Sequence, residues 1–307
     1  MPQRGRTQHS NAMRRAALVL VAAAMLATVE PLALKRRGGL TKSKKKKKLK
    51  KAPSIVAEPP PRAPLAWSLS PEEHMAAVQG AVASAADGIQ TALTKDDFFA
   101  RTNFLDATSV AAMAEEARRL DGTLVPSQST RYEAGQTIAY DKEGVRSTQI
   151  LGGNDYDKAP RLTEYVVSLT AALSSVAGQV RPLSPSRQTN KLAVCDAVGA
   201  SYPKHIDNGG GGDPRLLTAI LYLSGDVDGG RFRSYKATED VVTAEVAPAP
   251  GTFVCFWSDR LVHDVSEVTR LDEARWALTV WLCTDDDVVE QTPDEVLAAH
   301  WPHLRDS

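Results

Sequence analysis

His205 and Asp207 stand on either side of Ile206, and His263 follows further along the chain, so two imidazoles and one carboxylate occur in the order H-x-D…H. Two histidines and a carboxylate on one face of an ion are the ligand set of a non-haem Fe(II) centre, and they leave the other positions open for a co-substrate and oxygen. In an extended strand, residues i and i+2 point to the same side, so His205 and Asp207 can reach one ion together while Ile206 turns into the core. The third ligand must then come from another strand. His263 follows the apolar run Gly251-Thr-Phe-Val-Cys-Phe-Trp257, which reads as that strand, and a short turn, Ser258-Asp-Arg260.

A His-x-Asp pair alone is commonplace as a surface or capping pair, and the surroundings are what raise it here. Asp207 runs into Asn208 and four glycines, Gly209 to Gly212, which read either as a pliable rim beside the metal or as a turn device. Arg275 stands at the head of a further strand pattern, Trp276-Ala-Leu-Thr-Val-Trp-Leu-Cys283. A buried cation needs an anionic partner to offset its desolvation, and a guanidinium forks onto a carboxylate better than any other side chain. The expected partner is a dicarboxylate co-substrate.

With these residues in view, the chain resembles the Fe(II)- and 2-oxoglutarate-dependent prolyl 4-hydroxylases, and among them the oxygen-sensing class that modifies hypoxia-inducible factor. The similar stretches are Lys191-Leu-Ala-Val-Cys-Asp196, Tyr202-Pro-Lys-His-Ile-Asp-Asn208, Leu217-Thr-Ala-Ile-Leu-Tyr-Leu223, Gly229-Gly-Arg-Phe-Arg233, Phe256-Trp-Ser-Asp-Arg260 and Arg275-Trp-Ala-Leu-Thr-Val-Trp281. Fainter similarity runs back to about Lys95. The resemblance implies that His205, Asp207 and His263 hold iron, that Arg275 pairs with the far carboxylate of 2-oxoglutarate, and that Tyr222 and Thr279 hydrogen-bond to the same co-substrate. It implies Fe(II), with 2-oxoglutarate and O2 as co-substrates and ascorbate as reductant. The implied reaction hydroxylates a prolyl residue of a protein or peptide and releases succinate and CO2.

Two departures from the family pattern stand out. Asp196 occupies the place after the Ala-x-Cys stretch where the family carries a co-substrate tyrosine, so one hydrogen bond to 2-oxoglutarate is expected to be missing. The interval from His263 to Arg275 is also long, with Thr269-Arg-Leu-Asp-Glu273 at an expected strand tip, which makes Arg270 a solvated rival to Arg275. Collagen-type relatives place a lysine where Arg275 stands, which favours the oxygen-sensing branch. Asp207 itself directs the expected outcome to hydroxylation, because a halogenating relative would vacate that position for chloride. The segment from Asp121 to Gly153, rich in Gly, Ser, Gln and Thr, reads as a mobile loop that closes over a chain substrate. An oxygenase acting on a free amino acid or other small molecule is the alternative, since function resides in the site and not the fold. A catalytically idle binding module is a third reading.

Composition divides the 307 residues in two. The apolar fraction of 43% is ordinary for a globular protein and the formal net charge is zero. Residues 1–51, however, hold 15 Lys and Arg against Glu30 alone, so 22 of the 37 basic and 36 of the 37 acidic residues lie in the remainder, a net of −14 there. Within the basic part, Arg14-Arg15 precede an apolar run from Ala16 to Val29, too short for a span of about 20 residues but suited to a signal-peptide core. With no acid before Glu30, an organelle transit peptide is also compatible. Residues 1–34 are accordingly expected to be a signal- or transit-like segment, and 35–69 a basic, proline-rich linker. The block Lys44 to Lys48 must stay solvated and reads as a nuclear-import tag, a contact for anionic surfaces or a solubilising linker. No specific nucleic-acid recognition is expected, and the compartment stays open between secretory pathway, organelle, nucleus and cytoplasm.

The elements that must position the site begin after this linker, in a domain expected over 70–307. Ser70-Pro-Glu-Glu73 has the form of a helix start, continuing to about Ala86, with His74 as an exposed helix residue. A second helix is expected from Asp106 to Leu120, ending at Gly122, with Val110, Met113, Ala117 and Leu120 near one face. A third runs from Leu162 to Val176 with Tyr165, Leu169 and Leu173 at helical spacing. From Lys191 the period shifts to strands, with the strand core at about 190–285, which gives an α+β arrangement. The family resemblance sharpens this to a double-stranded β-helix, a jelly roll flanked by helices. Cys195, Cys255 and Cys283 are an odd, widely spaced set within apolar patterns and read as buried thiols, with neither a disulfide framework nor a zinc site. His300 and His303 are not expected to bind metal.

Overall fold

The computed structural model describes residues 69–133 and 136–302. The signal- or transit-like segment, the linker up to residue 68 and His303 lie outside the described residues. Among the described residues no helix is long and apolar enough to cross a membrane.

Helix α1 (Pro71–Lys95) starts where the capping signal places it: the Ser70 hydroxyl accepts from the Glu73 N–H at 3.2 Å and the Glu73 carboxylate accepts from the Ser70 N–H at 2.7 Å. It runs beyond the expected end near Ala86, because Val78, Val82, Ala85, Ile89 and Leu93 keep one face buried for two further turns. Helix α2 (Ala107–Arg119) is capped by Asp106, whose carboxylate accepts from the Ser109 N–H at 2.9 Å. Helix α3 (Pro160–Ala177) buries Tyr165, Leu169 and Leu173 completely, as their spacing requires.

His74 departs from expectation. It is fully buried, and its Nδ1 lies 3.0 Å from Glu164 Oε2, which Arg161 also engages. The reason is that α1 packs along α3, and His74 sits one turn before Val78 on the packed face.

The start of α3 shows how the helices lock together. Ala159 offers no side-chain cap, and Glu116 of α2 supplies one instead, accepting from the N–H groups of Arg161 at 3.0 Å and Leu162 at 2.9 Å. Glu116→Ala would leave two buried donors unmatched, each at about 1–3 kcal/mol. The expected result is a clear fall in the urea midpoint with an unchanged slope; an unaltered midpoint would show that water replaces the cap.

Seven strands form the larger sheet: β1 (Phe98–Arg101), β2 (Val125–Glu133), β3 (Gln136–Thr148), β4 (Gln188–Cys195), β6 (Arg215–Gly229), β9 (Phe253–Trp257) and β11 (Val268–Cys283), in the order β1-β9-β6-β11-β4-β3-β2. The smaller sheet contains β5 (Tyr202–His205), β7 (Phe232–Tyr235), β8 (Val242–Val246) and β10 (His263–Val265), in the order β5-β10-β7-β8. Every strand pairing is antiparallel.

Alternation along the central strands separates two environments. Leu192 and Val194 of β4, Leu278, Val280 and Leu282 of β11, and Leu217, Ala219 and Leu221 of β6 share a core with the three helices. The opposite face looks at the smaller sheet, where Tyr222, Ala277, Val254 and Phe256 pack with Phe232 of β7. Two antiparallel sheets face each other, with helices on the outside of one, and this is the expected α+β jelly roll flanked by helices.

The segment from Asp121 to Gly153 differs from the expected loop. Most of it is the hairpin β2–β3, and Val145 to Thr148 of β3 pair with Cys195 to Leu192 of β4, extending the larger sheet at its edge. Its many polar residues gave it the composition of a loop, while Val125, Thr130, Tyr132, Thr137, Ile138, Tyr140 and Val145 suit a strand.

Candidate metal centre and co-substrate pocket

His205 ends β5 and His263 begins β10, and the two are Cα partners across the smaller sheet. Their ring centroids are 4.2 Å apart. His263 therefore opens a strand of its own in the second sheet, directly opposite His205. The H-x-D pattern itself leaves the strand after His205, and Asp207 is held in place from outside it. Arg215 Nη2 donates to the Asp207 carbonyl at 2.9 Å, and the Asn208 N–H donates to Ser258 O at 2.9 Å. One ligand atom from each of His205, Asp207 and His263 can be chosen so that all lie within 4.8 Å of one another.

The hydrogen bonds behind these groups decide which atoms face inward. His205 Nδ1 donates to Pro203 O at 2.8 Å and His263 Nδ1 to Leu261 O at 3.0 Å, so each ring is held with its Nε2 turned inward. Asp207 Oδ2 accepts from Thr218 Oγ1 at 2.7 Å and from Trp281 Nε1 at 3.0 Å. Oδ1 is left facing the two Nε2 atoms, at 3.4 Å from His205 and 4.0 Å from His263. Burial, and after it the neighbouring His205, lowers the pKa of His263 to about 4, so its ring is neutral. Burial alone would raise the Asp207 carboxyl, but its place beside His205 and His263 and the Trp281 donor outweigh it and hold it well below the usual range. Two imidazole nitrogens and one carboxylate oxygen converging on one point are a donor set that fits a divalent cation.

Trp281→Phe keeps the ring and removes one donor to Asp207 Oδ2. Metal affinity should fall roughly 10- to 100-fold, as read by chelator competition with Mn(II). An unchanged affinity would mean that Thr218 alone orients the carboxylate.

Strand register places the second half of the site. Cα partnering across β4, β11 and β6 puts Cys195 beside Arg275, Ala193 beside Ala277 and Tyr222, Lys191 beside Thr279 and Ile220, and Trp281 beside Thr218. Partners across a ladder share a face, so all of these look towards the smaller sheet. Arg275 is 4% exposed, donates from Nη1 to Cys195 Sγ at 3.3 Å and lies 4.9 Å from the Tyr222 ring centre. Gly230, at φ +58°, gives its stem room, since a Cβ there would meet Arg275 Cδ at 3.2 Å. Among the described residues no carboxylate pairs with Arg275, and both its Nε and the Tyr222 hydroxyl are buried without a hydrogen-bond partner. Burial works against its charge, but the Cys195, Tyr222 and Tyr202 groups prevail and its pKa stays raised. A buried, unpaired guanidinium beside an orphaned hydroxyl fits the far carboxylate of a small dicarboxylate such as 2-oxoglutarate.

The other singled-out residues fall outside this pocket. Asp196 turns to the rim, where its carboxylate accepts from Arg146 Nε at 2.8 Å and Nη2 at 2.6 Å, and Cys195 faces Arg275 instead. Arg270 is exposed and paired with Asp226 and Asp228, so it is no rival to Arg275. The glycines after Asn208 act as a turn: Asn208 Oδ1 accepts from the Gly210 N–H at 2.8 Å, and Gly211 bridges to Val289. His300 Nε2 meets the carbonyls of Lys236 and Ala237, away from the triad. Cys195, Cys255 and Cys283 are free and buried. The roles of Thr218, Trp281 and Cys195 escaped sequence reading. Their signal was present in the alternation Thr218, Ile220, Tyr222 and Arg275, Ala277, Thr279, Trp281, which marks one inward row on each strand.

The family model described as the 2OG-Fe(II) oxygenase superfamily matches residues 191–283, the span from Lys191 to the end of β11. Prolyl 3-hydroxylase 1 of Rattus norvegicus is 38% identical over 96 residues, covering 27% of this chain and 13% of that protein. Its Homo sapiens counterpart is 43% identical over 72 residues, covering 23% and 10%. The chain thus matches only a small part of the length of these curated relatives. Among solved structures, a Pseudomonas putida prolyl-4-hydroxylase aligns with TM-score 0.53 and 26% identity over 67% of this chain and 100% of that one. A prolyl hydroxylase from Trichoplax adhaerens, in complex with a fragment of the hypoxia inducible factor oxygen degradation domain, aligns with TM-score 0.53 and 22% identity over 68% and 92%. Fe(II), 2-oxoglutarate and O2 are what that superfamily implies, and the matched span carries His205, Asp207, His263 and Arg275.

Proposed function

We propose that this chain is a prolyl 4-hydroxylase acting on a protein or peptide, with Fe(II) held by His205, Asp207 and His263 and with 2-oxoglutarate and O2 as co-substrates. The observation that carries the reading is the pairing of three converging lone-pair atoms with a buried guanidinium that has no carboxylate among the described residues, on one inward face. When bound, the metal and 2-oxoglutarate supply the oxidation of a C–H bond, with release of succinate and CO2. The protein's own part is orientation. Arg275, Tyr222 and Thr279 fix the co-substrate, Thr218 and Trp281 aim Asp207, and the Phe232 and Phe256 rings, 5.2 and 4.6 Å from the His263 ring, keep that side dry. Proline as target is supported by the Pseudomonas putida enzyme, which matches over its whole length, and by the curated prolyl 3-hydroxylases. The former supports attack at C4.

The test is to incubate the Fe(II)-loaded protein and 2-oxoglutarate with proline-containing peptides and, separately, free proline. Succinate release is followed, and 3- and 4-hydroxyproline are separated after hydrolysis. Peptidyl 4-hydroxyproline matched by succinate is expected. Peptidyl 3-hydroxyproline would move the attack to the neighbouring carbon, and turnover of free amino acids alone would overturn the peptide assignment.

A further inference from the structure

Two lysines of the larger sheet converge beside the metal centre, and neither the triad nor the Arg275 pocket uses them. Lys142 projects from β3 and Lys191 from β4, and both reach one ring on the smaller sheet. Lys142 Nζ lies 4.2 Å and Lys191 Nζ 5.5 Å from the centre of Tyr202, and Lys191 Nζ is also 5.5 Å from that of Trp281. Among the described residues neither ammonium has a carboxylate or hydrogen-bond partner, and both are half-buried. Burial lowers both pKa values, that of Lys142 to about 8, and each lysine still senses the charge of Asp207.

Charge bookkeeping shows what is lacking. A divalent ion would be met by Asp207 and the metal-side carboxylate of 2-oxoglutarate, and Arg275 by the far carboxylate. Arg215 has Asp213. Lys142 and Lys191 then remain as two cations sharing one aromatic ring, with no anion assigned to them. Like charges this close are unfavourable unless an anion joins them.

We propose that Lys142 and Lys191 form a carboxylate-binding pair for the primary substrate, so that the target proline lies next to an aspartate or glutamate. Tyr202 shares β5 with His205, and Trp281, against which Lys191 also lies, donates to Asp207, so the pair stands next to the triad. This deepens the prolyl hydroxylase reading and rests on it for the proline, but not for the acid.

The experiment separates the two. Four blocked peptides, identical except for Asp-Pro, Asn-Pro, Asp-Ala or Asn-Ala at the centre, are titrated calorimetrically into the full chain loaded with Mn(II) and 2-oxoglutarate without oxygen. The wild type should bind the Asp peptides roughly 10- to 100-fold more tightly than their Asn partners. Lys142→Met, Lys191→Met and the double variant should erase that ratio, while Lys191→Arg keeps most of it. Melting temperatures should hold or rise, because a desolvated charge is removed. Asp preference without Pro preference supports the lysine pair and sinks the proline. Equal binding of Asp and Asn peptides, or binding of none of the four, overturns the pair. A Met variant that weakens 2-oxoglutarate and spares the Asp ratio overturns it too, by assigning the lysines to the co-substrate.

Discussion

His263→Ala is expected to abolish 2-oxoglutarate decarboxylation and, in the same protein, the stabilisation that a divalent ion confers on the fold. The two losses have one cause. His263 Nε2 is one of three lone-pair atoms in the centre, and without it only His205, which is partly exposed, and Asp207 remain. Even groups that merely orient a ligand change metal affinity roughly 10- to 100-fold; loss of the ligand itself should exceed that. Removing the ring also leaves a gap beside Phe232 and Phe256, so a lower melting temperature of the metal-free protein would not by itself speak for the metal. The informative quantity is the difference made by Mn(II). For the wild type at about 100 times Kd, linkage gives about 2.7 kcal/mol of added stability. For the variant at that same concentration the increment should vanish. A variant that still gains stability from Mn(II) and still releases succinate would remove His263 from the centre.

The triad was legible because its information is local or nearly so. The close spacing of His205 and Asp207 marked the pair, although the strand ends at His205 and Arg215, Thr218 and Trp281 aim Asp207, and an apolar strand followed by a turn leads to His263, which opens the strand opposite His205. The helix start with its capping residue Ser70 was equally plain. What could not be read depends on pairing between distant strands. That Trp281 faces Thr218, that both bind Asp207, or that Lys142 and Lys191 meet at Tyr202 follows only from register, which no single strand displays. The hairpin β2–β3 lacked the apolar alternation that burial imposes, and its polar residues masked its strand character. His74 misled for the opposite reason: an ionisable residue on a helix reads as surface until a second helix covers it, and here α3 does.

Arg275→Met should weaken 2-oxoglutarate strongly while leaving the fold intact or firmer. Truncating one partner of a buried charge pair costs about 2–5 kcal/mol, and with each 1.4 kcal/mol worth a factor of ten the Kd should rise roughly 30-fold to several thousand-fold. In the ligand-free protein, however, Arg275 is a desolvated cation with only the Cys195 thiol and the Tyr222 ring against it, so methionine of similar length removes an uncompensated charge. The melting temperature without co-substrate is therefore expected to stay level or increase, and the stabilisation by 2-oxoglutarate to disappear. Arg275→Lys keeps the charge but loses the fork, and should fall between the two. Calorimetric titration of 2-oxoglutarate into the Mn(II)-loaded variants reads all three. An unchanged Kd in Arg275→Met would place the far carboxylate elsewhere, and Lys142 and Lys191, cations beside the triad without a carboxylate partner among the described residues, would then be the groups to substitute.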